Sequence, residues 1–131
     1  MGARVYLSIA AVVAILYAIA FLLLPVPTSL FFSSFAEPRA VLNLRFCGAA
    51  VLAWGLIVWF ARDFREWQAV RNVLVASIIG LVANIIITIW ASLEGWLNAK
   101  SWGSAVVLVL LLVGAVYVLS TDQENSRDFV R

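Results

Sequence analysis

Between Val5 and Leu24 the chain runs for 20 residues without a charge, and three further stretches follow the same pattern. Ala40–Ala61 covers 22 residues and is interrupted by Asn43 and Arg45. Asn72–Leu93 is an uncharged window of 22 between Arg71 and Glu94. Ser101–Thr121 is one of 21 between Lys100 and Asp122, with residues 103–120 as its spanning part. A hydrocarbon layer about 30 Å thick is crossed by about 20 apolar residues at roughly 1.5 Å each. Inside it every backbone N–H and C=O must bond within the protein, so only helices and closed barrels cross. None of the four runs alternates apolar with polar residues at period two, so a barrel is not expected. The Val- and Leu-rich run from Ala105 to Leu119 reads as helix for the same backbone reason, despite its β-branched residues. The expected fold is all-α, an integral membrane four-helix bundle in a single domain, followed by a polar tail over residues 121–131.

Composition supports this reading. Of 131 residues, 65% are hydrophobic and 12% charged, against about 45–50% and about 25% in soluble domains. A water-soluble fold of this size has too little interior to hide that much apolar surface.

The connections differ in character. Pro25-Val26-Pro27 stops the first run, because residues before proline are pushed out of helical geometry. Beyond it, Thr28-Ser29 offers caps for a short helix, and Leu30, Phe31, Phe32 and Phe35 suit an interface. Residues 62–71 form a short charged loop, and 94–102 a second loop with Trp96 and Trp102. The first run is longer than a signal-peptide core, and Ala18-Ile19-Ala20 is followed by more apolar sequence. A retained helix is therefore expected.

Lys and Arg counts set the expected orientation. Arg4, Arg62, Arg65, Arg71, Arg127 and Arg131 fall on one side, and Arg39 and Lys100 on the other, with Arg45 near it. Both termini are thus expected in the cytoplasm, in a bacterial inner membrane. Trp59, Trp67, Trp90, Trp96 and Trp102 fall near the two interfaces.

Residue types narrow the chemistry. The chain has no His and one Cys, Cys47, so His-ligated haem or zinc, His proton relays and intrachain disulfide chemistry are excluded. Net charge is +2 without a basic run, so no nucleic-acid partner is expected. No span holds a carboxylate deep enough for a proton relay. No catalytic residue, metal or cofactor is expected.

The candidate binding residues are Arg45, Asn84, Glu94, Tyr17 and Asn43, which share the outer half of the bundle by depth. Arg45 lies 16 residues before Arg62, about one turn inside the outer boundary. Either it snorkels to phosphate and water, or it pairs with a carboxylate, Glu94 before Glu37, or it binds an anionic head group or substrate, a role compatible with pairing. Asn84 lies about 13 Å from the outer end of its span. An amide in hydrocarbon wants a partner, so Ala76, Gly80 and Asn84 are expected to face a neighbouring helix at close range. The expected neighbour is the small-residue face of the second span, Gly48-Ala49-Ala50, Ala53 and Gly55, with Ala49 and Ala53 four residues apart. Asn43 is expected to cap or hydrate the start of that span, and Cys47 to fill space as a small apolar residue.

Several short motifs recur together: Leu-Leu-Pro at the end of the first span, Glu37-Pro38-Arg39, Arg45-Phe46-Cys47-Gly48, Trp59-Phe60-Ala61-Arg62, Asn84, and Gly114-Ala115-Val116-Tyr117. Over about residues 5–119 this pattern resembles small bacterial four-span membrane proteins of unknown function. It is more distantly similar to the four-span scaffold protein of sterol biosynthesis, which also carries Arg-x-x-Gly near a span start. The resemblance implies a non-catalytic scaffold or accessory subunit, associating with itself or with a membrane-protein partner, and transfers no catalytic residue. The alternative from the residues themselves is a protein that binds or transports a lipid or small amphiphile in an outward-facing cleft.

Overall fold

The computed structural model describes residues 2–32 and 38–121. It contains helices α1 (Ala3–Leu23), α2 (Pro25–Phe32), α3 (Pro38–Ala61), α4 (Trp67–Leu93) and α5 (Ser101–Ser120). All but α2 are long and apolar enough to cross a membrane. The protein is an all-α integral membrane bundle of four spans. Glu37, Phe35 and the tail beyond Thr121 lie outside the described residues.

α1 ends where the sequence says it must. Leu24 leaves helical geometry at φ −124°, ψ 51°, and Pro25 opens α2. Prolines 25 and 27 fall in the first turn of α2, where a missing N–H costs nothing because those donors have no intrahelical acceptor. Thr28 does not cap α2. Its hydroxyl reaches back 3.1 Å to the Ala20 carbonyl and staples α2 to the end of α1.

α4 begins at Trp67, five residues before the uncharged window. Its first amides bond to the Glu66 carbonyl, and Gln68 donates to Asn72 at 3.2 Å one turn on. Polar residues at an interface continue a helix readily, so a charge boundary marks the membrane edge rather than the helix end. At its other end α4 closes in a Schellman motif. Gly95 takes φ +77°, the Trp96 amide donates to Ala91 and the Gly95 amide to Ser92. A side chain at Gly95 would be strained whatever space surrounds it.

The four spans pack as two antiparallel pairs, α1 with α3 and α4 with α5, and the pairs touch each other sparsely. The α1–α3 seam is set by glycine. A Cβ on Gly48 would lie 2.8 Å from the Phe21 Cβ, and one on Gly55 would lie 3.1 Å from the Ala14 Cβ. Seven residues forward on α3 thus match seven back on α1. Ala3, Ala10, Ala11, Ala14 and Ala18 form the buried face of α1. Small residues let backbones approach, and in lipid the gain comes from packing rather than from removing apolar surface from water. The four-residue pair expected to do this, Ala49 and Ala53, stays exposed.

Packing is densest toward the end that carries residue 3 and residue 118. Tyr6, Leu7, Val58, Ala61, Val70, Leu74, Ala115 and Val118 form one buried cluster there. The Tyr6 hydroxyl donates 2.8 Å to the Leu111 carbonyl, tying α1 to α5. Toward the opposite end, which carries α2 and the α4–α5 loop, the two pairs part. The outward faces of the spans are apolar, from Val5 and Leu16 on α1 to Leu110 and Val113 on α5, as lipid requires.

Candidate functional site

Where the pairs part, they enclose a half-open cleft of about 420 Å³ lined from all four spans. That volume lies within the range of small-molecule sites, roughly 300–1,000 Å³. Its walls are aliphatic and aromatic, with Phe21 and Leu108 among them. Polar groups enter at defined places. On one side the Tyr17 and Ser104 hydroxyls share a hydrogen bond of 3.2 Å between α1 and α5. On the other, the Trp54 indole N–H donates 2.9 Å to the Ser77 hydroxyl between α3 and α4. Asn84, Thr88 and Cys47 complete the polar lining. No Asp, Glu, Lys or Arg lines the cleft among the described residues.

Asn84 sits in the cleft wall in an unexpected way. Its side-chain amide donates to the Gly80 carbonyl of its own helix at 3.0 Å. A back-bond to the carbonyl four residues earlier satisfies one of the amide's two N–H groups without a second helix. The acceptor half, Oδ1, makes no hydrogen bond among the described residues. Nothing lies within 4 Å of the place a Cβ would take on Gly80. The expected close contact of Ala76, Gly80 and Asn84 with the small face of α3 is therefore overturned. Gly48 and Gly55 are committed to α1, Ala49 and Ala53 stay exposed, and the α4 stripe of Ala76, Gly80 and Asn84 lines the cleft together with Ala50 of α3.

Of the five candidates, the structure brings Tyr17 and Asn84 into one site and leaves three outside. Arg45 is exposed, makes no ion pair among the described residues and does not line the cleft. Pairing with Glu94 is corrected: Glu94 is the exposed C-cap of α4. The helices that carry these two residues barely touch, because α3 leans on α1. Glu37, the other carboxylate expected for Arg45, lies outside the described residues. Asn43 falls in the second turn of α3 and is exposed, so it does not cap a helix that begins at Pro38. Cys47 is exposed on the cleft wall and is not a buried filler.

Three participants carried weak signals in the sequence. Trp54 and Ser77 lie 23 residues apart on consecutive spans, and nothing in their local pattern links them. Ser104 reads as an ordinary small residue of a membrane helix. A second, smaller hollow of about 350 Å³ adjoins the cleft through Tyr17 and Phe21 and runs under α2 to Phe31 and Phe32.

The α2 end is tied across the bundle by one loop residue. Asn98 donates its backbone amide to the Phe32 carbonyl at 2.8 Å and its side-chain amide to the Phe31 carbonyl at 2.6 Å. Its Oδ1 accepts the Lys100 amide at 3.0 Å. These bonds satisfy two carbonyls in the last turn of α2. Lys100 lies 4.8 Å from the centre of the Phe31 ring, within cation–π range.

The chain matches no family model, no curated protein and no solved structure.

Proposed function

We propose that this protein binds a lipid or small amphiphile in the cleft between its two helix pairs and acts as a non-catalytic binding or transfer protein. The cleft itself carries the reading: a mostly apolar hollow walled by all four spans where the two pairs part, with a few convergent polar groups. Such sites are the usual form of small-molecule binding pockets, and helix bundles often place them between helices. The sparse contact between the pairs gives a route for entry from the bilayer. Six Lys and Arg residues against two or three support an orientation with the termini in the cytoplasm and α2 on the outer face, in a bacterial inner membrane. Native mass measurement of the protein released from mild detergent tests the reading. A bound amphiphile is expected on the wild type and is expected to be lost from Asn84→Leu, which removes the amide and puts a bulkier apolar side chain on the cleft wall. A wild type that carries no amphiphile and takes up none when offered one would overturn it.

A second reading has its own observation. Ala49 and Ala53 stay exposed on α3, four residues apart, a spacing that lets another membrane helix approach closely. This supports a scaffold or accessory subunit that associates with itself or with a membrane-protein partner, in line with the resemblance to four-span scaffold proteins. Ala53→Leu is expected to disperse such an assembly in native mass spectra while leaving amphiphile binding intact.

A further inference from the structure

We infer that the ligand is an uncharged single-chain alcohol whose hydroxyl sits beside Asn84 and Thr88 on the cleft wall; this rests on the cleft being a ligand site.

Charge is the first constraint. No acidic or basic side chain lines the cleft among the described residues. A carboxylate or ammonium placed there would lose its hydration without a counter-charge, which is strongly unfavourable. Volume is the second. At about 420 Å³ the cleft lies in the lower part of the range for single small molecules. One chain or ring system fits, and a two-chain lipid would leave most of itself outside.

The unused hydrogen-bonding capacity sets the head group. The Gly80 carbonyl can only accept, so the Asn84 amide nitrogen must face it. This fixes the amide orientation and leaves Oδ1, on an exposed residue of the half-open cleft wall, as an acceptor without a donor among the described residues. Across the cleft, two hydroxyls share one hydrogen bond. Each brings one O–H, so one O–H remains to donate. Thr88, one turn beyond Asn84, lines the same cleft with a hydroxyl that has no bond among the described residues. A ligand that satisfies Asn84 Oδ1 and Thr88 together must donate once and accept once from the same small head. A hydroxyl does this with a single oxygen. Its O–H goes to Asn84 Oδ1, and its lone pairs accept from Thr88, which lies one turn on along the same helix. An ether or ketone accepts but leaves Oδ1 unpaired.

The test uses the full chain in phosphatidylcholine nanodiscs and two photoreactive probes, a diazirine-bearing hexadecanol and its methyl ether. The alcohol is expected to label peptides containing Cys47 or Asn84 saturably. The ether is expected to need about three- to tenfold more, the factor for one hydrogen bond lost at a membrane or buried site. Asn84→Ala is expected to bring the alcohol down to the level of the ether while leaving ether labelling unchanged, which also shows that the variant is folded. Unlabelled hexadecanoate is expected to compete more weakly than hexadecanol. Equal labelling by both probes, or stronger competition by hexadecanoate, overturns the head-group assignment while the cleft stands as a site. No saturable labelling of the cleft by either probe overturns the head-group assignment and the proposed function together.

Discussion

The indole N–H of Trp54 donates 2.9 Å to the hydroxyl of Ser77, joining two helices, α3 and α4, that otherwise barely meet. Both residues also line the cleft. The bond therefore holds two walls of one hollow at a fixed separation, and the same pair governs stability and access. In a double-mutant cycle with Trp54→Phe and Ser77→Ala, the coupling is expected near 0.6 kcal/mol and no higher than about 1.7. Reversible unfolding in mixed detergent measures it. Either variant is also expected to raise the rate at which Cys47 in the cleft wall reacts with a small thiol reagent. A coupling near zero would mean that the hydroxyl re-bonds within its own helix at no cost.

Asn98 offers a second test at the α2 end. It holds α2 through the Phe31 and Phe32 carbonyls while its Oδ1 orders the turn into α5. Asn98→Ala removes both side-chain bonds and keeps the backbone one. The cost is expected at about 1–2 kcal/mol, from two hydrogen bonds at about 0.5–1.5 each with partial replacement by water. Hydrogen exchange is expected to rise at the amides of α2 and of residues 100–103 and to stay unchanged near Tyr6 and Leu74. Uniform change across the chain would show that α2 is not held as a separate unit.

Arg45 separates pairing from snorkelling. It makes no ion pair among the described residues, so removing its charge strands no partner among them. Arg45→Ala and Arg39→Ala are both expected to change stability by less than about 0.5 kcal/mol, as exposed substitutions do. A loss of about 3–5 kcal/mol at Arg45 alone is the signature of a broken buried pair and would contradict the geometry described here.

These cases show which parts of the fold were legible. Four spans follow from run length against bilayer thickness, a constraint each segment carries alone. The break at Pro25 is equally local, since it depends on one ring and one missing N–H. Pairing of faces is not local. α3 offers two small-residue surfaces, Ala49 with Ala53 and Gly48 with Gly55, and only assembly decides which is used. The alanine ladder of α1 selects the glycines, yet that ladder is hard to see in a segment rich in alanine throughout. Once Gly48 and Gly55 face α1, Arg45 is carried away from Glu94 and the Ala76–Gly80–Asn84 stripe loses its expected neighbour. The depth shared by Tyr17 and Asn84 was readable from counting; the cleft between them was not. Asn98 did leave a signal, an Asn two residues before a bonded amide at a helix entry, but its reach to α2 depends on tertiary placement.

Glycine substitutions provide the sharpest discrimination between the seam and the cleft. At Gly48 a new Cβ would sit 2.8 Å from the Phe21 Cβ and 3.3 Å from the Leu22 backbone nitrogen. Backbone atoms do not yield as a side-chain tip does, so α1 and α3 must separate locally. Gly48→Ala is expected to cost about 1–3 kcal/mol, the range for overpacking. Gly55→Ala meets Ala14 and Ile15 at 3.1 and 3.2 Å and is expected to cost less, because the Ile15 side chain can shift. Gly80→Ala meets nothing within 4 Å. Alanine is the better helix former by about 1 kcal/mol in water, so this variant is expected to be neutral or slightly stabilising. Its methyl group would enter the cleft beside Asn84, so amphiphile retention is expected to fall even as thermal stability holds. Melting temperature and bound-ligand mass, measured on all three variants, check the order. If Gly80→Ala destabilised as much as Gly48→Ala, α4 would be packed where the structure places an open cleft.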